Sequence, residues 1–105
     1  MDSKYIGKLE GTERQIAWAE KLREEFIESA ESKINTYLER SRNLPDSREN
    51  KAELIAKYEL ADLILKTCTK NRTKATWWID RRDRGGFSVV MDLTEEKIVK
   101  DKANL

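Results

Sequence analysis

The sequence predicts a mainly α fold, a long antiparallel αα-hairpin followed by a small C-terminal subunit with a short helix and one or two short strands. Apolar residues recur at three- and four-residue steps from Ile16 to Leu38 and again from Leu54 to Cys68, which places them on one face of a helix. The single proline, Pro45, falls between the two stretches. Each stretch also follows a pair of residues able to cap a helix, Thr12 with Gln15 and Asp46 with Glu49. With 105 residues, of which 38 % are apolar, the chain has the length of one domain.

Residues 1–11 form a lead-in with two glycines and an apolar trio, Tyr5, Ile6 and Leu9. The first helix is expected over residues 12–42. Its Thr hydroxyl and Gln amide would each satisfy a backbone N–H left open in the first turn. Ile16, Ala19, Phe26, Ile27, Ala30, Ile34, Tyr37 and Leu38 supply the stripe, widened by Trp18 and Leu22. It ends at Asn43-Leu44-Pro45, because a residue before proline is driven out of helical geometry. A second helix over residues 46–70 carries Leu54, Tyr58, Ala61, Leu65 and Cys68 as its seam. The short connection makes the two helices antiparallel neighbours.

Residues 73–105 are less regular. Thr73 or Thr76 could cap a short helix through Trp77, Trp78 and Ile79, stopped by Gly85-Gly86 acting through positive φ. A strand over residues 76–81 is the rival. Phe87 to Leu93 is β-like in composition and would pair with that strand or with the lead-in. The tail from Thr94 suits a weak helix. Adjacent Trp77 and Trp78 cannot face one way, so one of them closes the core. The other readings of this pair are a base-stacking platform and a protein-contact anchor. Cys68, at the end of the second seam, reads as a buried structural thiol.

Charge excludes a uniformly basic nucleic-acid binder: 21 Lys and Arg stand against 20 Asp and Glu. The balance is uneven along the chain. Residues 10–31 hold seven Glu against three basic residues, and residues 66–84 hold seven basic residues against two Asp. Glu20, Glu24, Glu28 and Glu31 share one helical face at four-, four- and three-residue steps. That row is either a solvated face complemented by near neighbours or an acidic ridge that competes with phosphates for a basic groove on another protein. Arg81, Arg82 and Arg84 are the matching candidates at the basic end.

Without His and with one Cys, the chain cannot supply a zinc site of four N/S ligands, an internal disulfide, or a Ser-His-Asp or Cys-His pair. No catalytic residues, metal or cofactor are expected. No signal peptide or membrane span is expected either, which points to a reducing cytoplasm.

Two strings go further: Leu9 to Glu20, reading LEGTERQIAWAE, and Trp77 to Arg82, reading WWIDRR. Together they resemble a small domain carried by phages, prophages and mobile elements, with the pattern L-x-G-[ST]-E-[KR]-Q-x-x-W-A-E and a W-W-I-D close. With its small size, the chain looks like the type II-A anti-CRISPR proteins. The resemblance implies a non-enzymatic inhibitor that, in the cytoplasm of a host bacterial cell, binds a type II CRISPR-Cas effector nuclease and blocks its binding or cleavage of target DNA. The sequence leaves monomer and dimer both open. The alternative is a nucleic-acid-binding accessory module of a mobile element that uses the basic C-terminal third.

Overall fold

Thr12 begins the first helix by the expected route. Its hydroxyl accepts from the Gln15 N–H at 3.2 Å, and Gln15 Oε1 accepts from the Thr12 N–H at 3.0 Å. The computed structural model describes residues 8–104, so the lead-in positions Tyr5 and Ile6 lie outside the described residues. It contains four helices: α1 (Glu13–Arg42), α2 (Lys51–Asn71), α3 (Ala75–Asp80) and α4 (Gly86–Ala103). The 30 residues of α1 extend about 45 Å at 1.5 Å per residue, most of the 53 Å long axis.

Pairs between α1 and α2 run in opposite order along the chain. Arg42 bonds Glu59 at 3.3 Å, Tyr37 stacks on Tyr58 at 5.6 Å, and Glu31 lies near Lys66. Four helices share one core. Ala19, Phe26, Ala30 and Ile34 come from α1, Ala61, Leu65 and Cys68 from α2, Ala75 and Trp78 from α3, and Val89 and Val90 from α4, with Leu9 added from the lead-in. The four alanines, Ala19, Ala30, Ala61 and Ala75, are fully buried in that core, where a small side chain lets neighbouring elements pack closely. Two buried threonines, Thr69 and Thr94, return their hydroxyls to the Lys66 and Val90 carbonyls, so no donor is stranded.

The second helix starts later than expected. Arg48 N–H donates to the Pro45 carbonyl and Lys51 N–H to the Arg48 carbonyl, giving two tight turns that consume residues 45–51. Asp46 forms no capping box with Glu49. Its carboxylate takes the Lys51 ammonium at 2.8 Å, and this hydrogen bond and charge hold the Asp46 carboxyl below its usual range. Asn50 occupies the cap position without a side-chain bond.

The C-terminal part departs most from expectation. Residues 75–80 form the short helix, but neither Thr73 nor Thr76 caps it: Lys74 holds that position, and Thr73 Oγ1 donates to the Glu10 carboxylate at 2.8 Å. Among the described residues there is no strand, only an isolated parallel bridge between Glu10 and Lys74. The lead-in therefore pairs with the α2–α3 connection, through Glu10 N–H to the Thr73 carbonyl and Ala75 N–H to the Glu10 carbonyl. Residues 87–93 are helical. Gly86, Val90 and Thr94 recur at four-residue steps and are all buried, and burying that row outweighs helix-propensity differences of tenths of a kcal/mol per β-branched residue. Gly85 and Gly86 do not act through positive φ, which among the described glycines belongs to Gly11 alone. Gly86 is instead the first residue of α4 and lies directly on the α1 backbone at Phe26.

Candidate functional site

Because α4 starts against Phe26, the turn between α3 and α4 lies along α1. The basic turn and the acidic helix, far apart in sequence, meet there. A groove of about 210 Å³ runs between them, lined by Glu25 and Ser29 of α1 and by Arg81, Arg82 and Arg84 of the turn.

Each arginine already serves the fold. Arg81 donates to the Trp77 carbonyl at 3.0 Å, with its guanidinium 4.1 Å from the centre of the Trp77 ring. Arg82 donates to the Ile79 carbonyl at 2.9 Å and lies over Trp18, 5.4 Å from its centre. Arg84 bonds Ser88 Oγ and pairs with the Asp92 carboxylate. These contacts close the exposed C-terminal end of α3 and brace the start of α4.

The glutamates divide differently. Glu20, Glu24 and Glu28 are exposed on α1, and consecutive members stand one turn apart, with Cβ atoms about 5–6 Å from each other. No cation among the described residues lies within ion-pair distance of these three. Glu31 does not belong to this exposed row: it is half-buried and turned toward Lys66 of α2, whose ammonium is raised chiefly by its hydrogen bond to Asp62 and slightly by Glu31. Inside the same helix Arg23 is buried, and desolvation pulls its guanidinium down while Glu20 opposes that shift.

The tryptophans separate by role. Trp78 is 2 % exposed, stands edge-on to Phe26 at 5.1 Å, and donates its indole N–H to the Arg72 carbonyl at 2.9 Å. It closes the core. Trp77 is half-buried between Phe26 and the guanidinium groups of Arg72 and Arg81. A second groove of about 340 Å³ opens beside it, lined by Arg72, Lys74, Thr76, Asp80 and Arg81.

Sequence reasoning missed the pairing of Trp18 with Arg82 and the part of Glu25 and Ser29 in the first groove. Sixty-four positions separate the partners of the Trp18–Arg82 contact, and no local pattern registers it. Cys68 is buried and unpaired by disulfide, and burial raises its thiol pKa. Among the described residues no group of three or more acidic or cysteine side chains is arranged to hold a metal ion, and no helix is long and apolar enough to cross a membrane. No family model, curated protein or solved structure matches this chain.

Proposed function

We propose that this protein is a stoichiometric inhibitor whose α1 face, Glu20, Glu24 and Glu28, occupies a positively charged nucleic-acid-binding surface on a type II RNA-guided DNA nuclease. One observation carries the choice of face: those three carboxylates have no ion-pair partner within the described fold, whereas Arg81, Arg82 and Arg84 are committed to it. Carboxylates at one-turn spacing repel one another by a few tenths of a kcal/mol per pair, with Glu20 partly offset by the charge of the buried Arg23, and the remaining repulsion is relieved against a cationic groove. Such nucleases hold nucleic acid in basic channels and read a short flanking motif through arginines. The choice of nuclease rests on the resemblance of the LEGTERQIAWAE and WWIDRR strings.

The test is binding of the purified protein to a guide-loaded type II nuclease, with target-DNA cleavage as second readout. The triple variant Glu20→Gln, Glu24→Gln, Glu28→Gln should retain its fold and lose both binding and inhibition. Unchanged inhibition by that variant overturns the reading. The alternative, a nucleic-acid module, draws on the groove of Arg72, Lys74 and Arg81 beside Trp77. It predicts direct binding of labelled DNA or RNA that weakens steeply with salt.

A further inference from the structure

The face of α2 that points away from the core carries a second, independent pattern. Glu53, Ala56, Leu60, Leu63, Thr67 and Lys70 follow one another at three-, four-, three-, four- and three-residue steps. That is the heptad spacing of a coiled-coil seam. The opposite face of the helix holds Ala61, Leu65 and Cys68 in the core, so the row is not the one that packs the monomer. Leu63 is 59 % exposed, Leu60 is half-buried, and the other four positions are exposed. Among the described residues Glu53 and Lys70 make no ion pair.

We infer that this face pairs α2 with α2 of a second copy of the chain, antiparallel, to form a two-fold symmetric dimer. The charges select both partner and direction. When two copies run in opposite directions about a midpoint between Leu60 and Leu63, Glu53 of each faces Lys70 of the other. Leu60 then faces Leu63, and Ala56 faces Thr67. A parallel arrangement would set Glu53 against Glu53 and Lys70 against Lys70, which is repulsive at both ends. The small side chains of Ala56 and Thr67 let the backbones approach, while two leucines per chain form the apolar centre. A two-fold interface requires this self-complementarity. The pairing uses no residue of the α1 face, and it would give the assembly two copies of that face.

Sedimentation equilibrium on the full chain tests the inference. The apparent mass should rise with concentration from 12.3 kDa to twice that value. Leu63→Glu should remain monomeric with an unchanged helical circular dichroism spectrum. Glu53→Lys and Lys70→Glu each turn two attractive end contacts into repulsive ones and should weaken association roughly tenfold. The double reversal, Glu53→Lys with Lys70→Glu, should restore it. A wild-type chain that stays monomeric into the millimolar range, or a dimer indifferent to these variants, overturns the proposal.

Discussion

Gly86 lies against the main chain of Phe26 so closely that a Cβ at position 86 would collide with the Phe26 carbonyl and stand 3.1 Å from its Cα. The first residue of α4 is thereby seated on the middle of α1, and the Arg81 to Arg84 turn is laid along the acidic helix. Gly86→Ala should cost about 1–3 kcal/mol through forced separation of the two helices. Gly85→Ala should cost no more than about 1 kcal/mol, because the position is open and its φ is −67°, leaving the N-cap preference for Gly over Ala as the loss. Urea unfolding of the two variants, with equal m-values, checks both expectations.

Trp78 should be the most costly side chain to truncate. Trp78→Ala removes the edge contact with Phe26 and a fully buried indole, a loss of about 3–5 kcal/mol, enough to unfold a domain of marginal stability. Trp78→Phe should keep the fold at a lower midpoint, since the Arg72 carbonyl loses its donor. Thermal unfolding followed by far-ultraviolet circular dichroism distinguishes the two.

Trp18 is 46 % exposed beneath Arg82. Their coupling in a double-mutant cycle of Trp18→Ala and Arg82→Ala should be about 0.5–1 kcal/mol. Zero coupling would show that the turn is not held on α1 through this contact.

The capping box at Thr12 is exposed and independent of the core, so Thr12→Ala should destabilise by about 1 kcal/mol. Thr12→Ser should restore most of that loss, since its hydroxyl can accept the same Gln15 N–H.

Cys68 gives a pH dependence with a definite sign. Burial raises its thiol pKa in the folded state, so below the unfolded value of about 8.5 neither state is ionised and nothing is lost. As the pH climbs past that value the unfolded chain releases a proton that the folded chain keeps. Stability therefore falls until the folded thiol also ionises. Denaturation of the wild type and of Cys68→Ala across this range should show the slope difference, and labelling of the thiol near neutral pH should require unfolding.

Local chemistry determined much of the architecture. Thr12 and Gln15, the spacing from Ile16 to Leu38 and the break at Pro45 define α1 because each acts within four residues or at one peptide bond. The seam from Leu54 to Cys68 and the acidic spacing on α1 were equally legible. Asp46 misled because a cation five residues on competes for its carboxylate more strongly than an unpaired N–H. Residues 87–93 misled because β-branched side chains read alike on a strand or a buried helix, and only the tertiary packing that buries Gly86, Val90 and Thr94 chose between them. The same packing decided the candidate site. Arg81, Arg82 and Arg84 were committed to nearby carbonyls, rings and a carboxylate, and Glu31 was turned toward α2, while Glu20, Glu24 and Glu28 remained on open surface. Spacing alone assigns residues to a helix face, but the long-range packing of α2, α3 and α4 on α1 determines which faces are covered and which charges are neutralised.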